Sequence, residues 1–230
     1  MYRYFFSLCL IFCVCLTLQA QEEEQPNDSI KKRVELNFLR IDLDIAPVVT
    51  TFLNKGEIYS FEAGLQTAIN NRFYPIVELG FAGANKTSMS DIHYKTNGLF
   101  YRAGMDFNLL KNKNENPKYQ NFFFAGARLG YSYFAYDMGN INFVDNFWDY
   151  NISQDQHLTA SKLWVELAAG VRVEMFKNFY MGWSVRIKNL LTKGKDGELK
   201  PWYIPGFGTE QDGSIWSFNY MVGYQILTNK

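Results

Sequence analysis

Residues 163–175 read LWVELAAGVRVEM. From Leu163 onward every second residue is apolar: Leu163, Val165, Leu167, Ala169, Val171, Val173 and Met175. Between them stand Trp164, Glu166, Ala168, Gly170, Arg172 and Glu174. Such alternation puts the two sets on opposite faces of a β-strand. It does not say which face is inside. A soluble barrel buries the apolar set, whereas a barrel in lipid turns it outward.

The same pattern recurs at Leu39–Val49, Tyr59–Ile69, Phe73–Ala84, Leu99–Leu110, Phe122–Tyr136, Phe179–Asn189 and Phe218–Leu227, which with Leu163–Phe176 predicts eight strands. Each is long enough for the roughly 9–11 residues that a tilted strand needs to cross a hydrocarbon layer. One face carries Leu39, Ile41, Leu43, Phe61, Leu65, Val77, Leu79 and their equivalents, with almost no charge in mid-strand. The other carries Arg40, Asp42, Asp44, Glu62, Glu78, Arg102, Asp106, Arg128, Glu166, Arg172, Glu174, Arg186 and Lys188. It also carries Gly64, Gly80, Gly104, Gly126, Gly130, Gly170, Gly182 and Gly223. Those glycines decide the polarity. A solvated strand face gains nothing from Gly, which weakens a strand, but a narrow interior needs the room for long Arg and Glu side chains. The expectation is an all-β, eight-stranded antiparallel up-and-down transmembrane β-barrel. Its lumen is filled by charges of both signs and too crowded to conduct; a narrow channel is the rival reading.

Connections point the same way. Asn70–Arg72 and Lys177–Asn178 are tight and Lys111–Asn121 moderately short, whereas in the opposite series Lys86–Gly98, Asp137–Lys162 and Leu190–Ser217 are long and only Phe52–Ile58 is short. Short turns on one side and long loops on the other fit a barrel with periplasmic turns and termini. The first 20 residues, MYRYFFSLCLIFCVCLTLQA, have Arg3 ahead of an apolar run, and Leu18 and Ala20 suit a signal-peptidase site. We therefore expect a signal peptide at 1–20, a flexible periplasmic leader at 21–37 and an outer-membrane barrel at 38–230. Cys9, Cys13 and Cys15 all fall in the signal, which leaves the mature chain no thiol for a disulfide, metal or nucleophile. Lys plus Arg and Asp plus Glu both number 23, so no basic surface calls for nucleic acid.

Candidate chemistry is sparse. Asp42 and Asp44 share a strand face, but pairing with Arg40 or Arg186 explains them better than acid–base work, and Arg172 is the expected neighbour of Glu174. His157, with Asp155 before it and Ser161 after it in the third loop, offers an alternative as a lipid-modifying enzyme, without a strained nucleophile turn. Two histidines and no mature cysteine predict neither metal nor cofactor. The long loops hold the best binding candidates: Phe147, Trp148 and Tyr150 in the third, and Trp202 and Tyr203 within PWYIPGFG in the fourth. Large aromatics on loops anchor partners at modest entropic cost, and they equally pack a loop over a barrel mouth. Expected partners are outer-membrane lipid and lipopolysaccharide, together with an envelope protein or glycan.

The stretches RIDLDIAP (40–47), EAGLQTAINNRFYPIVELGFAG (62–83), GLFYRAGMDFNLL (98–110) and FFFAGARLGYSYF (122–134) resemble a family of small outer-membrane β-barrel proteins from Bacteroidota. The resemblance covers nearly the whole mature chain. It implies a cell-envelope barrel without catalysis and supplies no catalytic residues. The closing segment YQILTNK departs from the terminal aromatic of typical assembly signals, a part that Tyr224 is expected to take.

Overall fold

A computed structural model describes residues 36–69, 72–88, 91–110, 121–145, 150–192, 200–209 and 214–227. The expected signal and all but the last two residues of the leader lie outside the described residues. The strands are β1 (Leu36–Asp44), β2 (Ile58–Ile69), β3 (Phe73–Thr87), β4 (His93–Asn108), β5 (Phe122–Asp145), β6 (Tyr150–Phe176), β7 (Phe179–Leu190) and β10 (Ser214–Leu227). A helix α1 (Ala46–Leu53) follows β1, and a small hairpin, β8 (Tyr203–Ile204) with β9 (Gly208–Thr209), lies between β7 and β10. Each large strand pairs antiparallel with its neighbours, and β1 closes the ring against β10 in the order β1-β10-β7-β6-β5-β4-β3-β2. The eight-stranded up-and-down barrel is therefore the fold.

The quoted stretch has the polarity that the glycines implied. Trp164, Glu166, Ala168 and Arg172 are buried in the lumen, while Val165 and Leu167 face outward. Leu39, Ile41 and Leu43 on β1, Phe61 and Leu65 on β2, and Val77 and Leu79 on β3 are likewise exposed. Large inward side chains force Gly at matching positions. Gly130 is paired with Trp164, and a Cβ there would lie 2.2 Å from the indole. Gly104 faces Arg128 and Gly223 faces Asp42 in the same manner.

The largest departures from the expected boundaries are three. β1 does not run to Val49: it stops at Asp44, and Ala46–Leu53 is helical. The β-branched residues Ile45, Val48 and Val49 favour strand, but Pro47 lacks the N–H that a ladder needs and suits the first helical turn. Asp44 Oδ1 completes the break by accepting from the backbone N of Ala46 at 3.1 Å. Second, Asp137–Lys162 is not a long loop. β5 and β6 stay paired out to Asp145 and Tyr150, with one irregularity between Met138 and Ile141. β7 accompanies β6 only to the Trp164–Leu190 pair, and β4 accompanies β5 only to His93–Gly139. The β5–β6 pair thus projects past β7 as a ribbon that β4 still flanks as far as Gly139, and its outermost part, about 20 Å at about 3.3 Å per residue, is two-stranded. Third, β4 begins at His93 rather than Leu99, which shortens the link from β3.

The start of β1 and the end of β10 lie at the same end of the barrel as the β6–β7 turn. There the Phe176–Phe179 pair is closed by Lys177 and Asn178, and Asn178 takes the left-handed conformation (φ 67°) that Asn tolerates. The helix, the ribbon and the small hairpin all lie at the opposite end.

Candidate functional site

The lumen is built in three layers. At the turn end Phe38, Ala68, Tyr74, Phe122, Phe124 and Ala168 form an apolar floor. Tyr74 and Phe122 stack at 4.7 Å, and the Arg40 guanidinium lies 5.7 Å from the Phe122 ring centre, a cation–π contact that lets a charge border this floor.

Above it runs a continuous ionic network. Arg172 on β6 reaches across to Asp42 on β1 at 2.5 Å, and Asp42 also accepts from Arg40 Nε at 2.9 Å. Arg40 donates to Gln66, whose amide donates to Asp106 at 2.8 Å, and Arg128 joins Asp106 at 3.1 Å. Glu78 on β3 collects Arg186 at 2.9 Å, Arg102 at 3.0 Å and Arg128 at 3.3 Å. Arg102 in turn holds Glu62 at 2.6 Å and Glu166 at 3.0 Å. These side chains are almost wholly buried, so each charge depends on its partners. Two expected pairings are replaced. Asp44 turns to Asn219 and to the backbone N of Tyr220 (3.0 Å) rather than to an arginine. Glu174 accepts from the backbone N of Asn178 (3.1 Å) while Arg172 goes to Asp42, because Arg172 points into the lumen and Glu174 sits at its rim.

The third layer closes the far mouth. Tyr94, Phe100, Phe134, Tyr136, Trp164 and Leu190 from the wall meet Tyr203, Ile204 and Phe207 from the fourth loop. The sequence Ile204-Pro205-Gly206-Phe207 makes a tight turn: Phe207 N donates to Ile204 O at 3.1 Å and Gly206 has φ +79°. Pro and Gly in the second and third places favour such a turn. Gly206 is also the point of closest approach, since a Cβ there would lie 2.4 Å from the Phe100 ring. Its carbonyl accepts from Lys188 Nζ at 2.8 Å and Arg102 at 3.4 Å, and Phe207 O accepts from Lys188 at 3.3 Å. The loop therefore caps the ionic layer with backbone carbonyls as well as with apolar rings.

Of the expected binding residues, Tyr203 is one of these plugging groups, with 7% exposure. Its backbone N and O both engage the Tyr94 hydroxyl (3.3 and 3.0 Å), and burial pushes its phenol above tyrosine's ordinary value, so it stays neutral. Trp202 is half-buried at the rim, edge-on to Tyr94 at 5.8 Å and with Lys86 Nζ 5.8 Å from its ring centre. Phe147 and Trp148 lie outside the described residues, and Tyr150 is described only as the first residue of β6. Sequence reading missed that Gly206, Phe207 and Lys188 act together; the Pro-Gly turn inside an aromatic run was the available signal.

His157, Asp155 and Ser161 stand on strand β6 rather than in a flexible loop. His157 Nδ1 meets Asp137, its partner across the ribbon, with both side chains more than half exposed. Ser161 is four residues along the same strand, about 13 Å away at strand rise, too far for a hydrogen bond. Among the described residues no group of three or more His, Cys, Asp or Glu is placed to hold a metal ion.

A closed barrel with an apolar exterior and an ion-paired, double-capped interior is the class that these features define. The chain belongs to the family described as "Domain of unknown function (DUF6048)", matched over residues 1–230. No curated protein matches it. Among solved structures it is similar to Ail, the attachment invasion locus protein of Yersinia pestis: 11% identity, TM-score 0.43, covering 84% of this chain and 100% of that one. It is also similar to Neisserial surface protein A, with 11% identity, TM-score 0.40 and coverage of 83% and 96%. The N-terminal β-barrel domain of Pseudomonas aeruginosa OprF gives 11% identity, TM-score 0.37 and coverage of 83% and 98%.

Proposed function

We propose that this chain is an integral outer-membrane barrel, closed to solutes, that serves as a non-catalytic scaffold for recognition at the cell surface. One observation carries the reading: the inverted polarity of the wall. Exposed Leu, Val, Ile, Phe and Tyr recur on the outside of the strands while buried Arg, Asp and Glu fill the inside. Water would leave a very large apolar surface uncovered, whereas lipid solvates it. On this reading residues 1–20 are a cleaved signal, both termini are periplasmic, and the apolar band is in contact with phospholipid and lipopolysaccharide. Fractionation followed by carbonate and urea washing tests it. The protein should stay with outer membranes, and its release into the soluble fraction refutes insertion.

Recognition is assigned to the outer ribbon and rim. The proposed contributors of aromatic area for an envelope protein or glycan are Phe147 and Trp148, which fall in the sequence between β5 and β6, and Tyr150, the first residue of β6. Trp202 extends that surface at the rim, and Tyr203 supports it by anchoring the plug on which Trp202 stands. Crosslinking and pull-down from native membranes would compare the wild type with a protein in which residues 145–150 are replaced by Ser and Gly. A partner lost only from the altered, still inserted protein supports ribbon recognition. An unchanged partner set rules these aromatics out.

A further inference from the structure

The end of β1 leaves a gap that α1 covers from outside. Beyond the pairs of Asp44 with Glu62 and with Met221, β2 continues to Ile58 and β10 to Ser214, with no β1 residue opposite either. α1 lies over this gap, mainly against β2 and to a lesser extent against β10. Its sequence, APVVTTFL, has no charge, and none of its residues is buried. Phe52 is 81% exposed and Leu53 76%. The two hydroxyls of the helix do not face outward for partners: Thr50 and Thr51 both donate to Pro47 O, at 2.9 and 2.8 Å. A helix that satisfies its own polar groups and shows only apolar surface is suited to hydrocarbon rather than water.

Between α1 and the wall runs a cleft of about 250 Å³ lined by Val48, Thr51 and Phe52 of α1 and by Tyr59, Ser60, Phe61 and Phe81 of the wall. It opens on the outside of the barrel. Phe61 and Phe81 are paired across β2 and β3 and belong to the same exposed apolar face as Leu65 and Val77. The cleft is thus continuous with the apolar band at the loop end of the wall.

We infer that this cleft is a docking site for one acyl chain of an outer-leaflet lipid, held lengthwise between α1 and the β2–β3 wall. The inference rests on the membrane reading above. Its occupant follows from placement: a largely apolar slot on the lipid-facing wall, without a charged lining residue, is reached by a hydrocarbon chain and gives a charged ligand no counter-ion.

The test is photolabelling of the folded full chain in phosphatidylcholine vesicles whose lipid carries a diazirine in the acyl chain, with adducts mapped by mass spectrometry. Adducts should concentrate several-fold on Val48–Phe61 relative to the plain band around Val77 and Leu167, and Thr51→Trp, which fills the cleft, should remove the excess. If Thr51→Trp does not fold, as judged by heat-modifiable gel mobility, Val48→Phe provides the same test. Adducts spread evenly over the band, or an excess that survives the filled cleft, overturn the docking site while leaving insertion intact. No adducts anywhere on the band refute the membrane reading itself.

Discussion

At the residue scale, the lumen depends on charges that have no access to bulk water. Glu78 is the clearest case, since Arg102, Arg128 and Arg186 all converge on it. Glu78→Gln leaves three buried guanidinium groups short of an anion and should cost about 3–5 kcal/mol, the range for breaking a buried ion pair from one side. Urea titration of the folded protein in detergent, followed by tryptophan fluorescence, measures this; an unchanged midpoint would mean that the network is not a stability determinant. Much of the network was legible in the sequence, because period-two alternation placed Arg40, Asp42, Glu78, Arg102, Arg128, Glu166 and Arg186 on one face, and Gly130 and Gly223 marked where bulky neighbours intrude. Individual pairings were not legible. Arg172 was assigned to Glu174 on its own strand, yet it spans the lumen to Asp42, and that choice depends on barrel closure.

At the element scale, strands were readable where the outward face is apolar and unreadable where that face is polar. In Leu163–Met175 the outward face is apolar, so alternation is plain. Farther out, Asp155, His157, Thr159 and Ser161 all face solvent, the apolar half of the signal disappears, and yet the backbone remains paired with β5. The helix was hidden for a different reason: Ile45, Val48 and Val49 favour strand, and only Pro47 argued against it. The fourth loop carries its own prediction. Tyr203, Ile204 and Phe207 seal the mouth, but the ionic layer and the aromatic floor beneath them fill the lumen independently. Replacing Pro201–Thr209 with a Gly/Ser segment should therefore leave planar bilayers without stable single-channel openings, like the wild type. Reproducible, ion-selective openings in the altered protein alone would make the loop the sole barrier; openings in the wild type would contradict a closed barrel.

At the scale of the whole molecule, the account depends on the exterior band lying in hydrocarbon while the ribbon stands in water. A charged core inside an apolar wall is the reverse of a soluble protein's arrangement, and only an apolar solvent outside makes it favourable. No cysteine follows Cys15 in the sequence, so single reporters can be introduced without background in a protein that starts after residue 20. The decisive measurement is quenching of a fluorophore attached to Leu65→Cys, Val77→Cys or Leu167→Cys on the band, and to His157→Cys on the ribbon, in vesicles of the refolded protein. With the band in hydrocarbon, lipids brominated in the acyl chain quench the three band positions and aqueous iodide quenches only the ribbon. Band positions quenched by iodide and untouched by brominated lipid would contradict that placement.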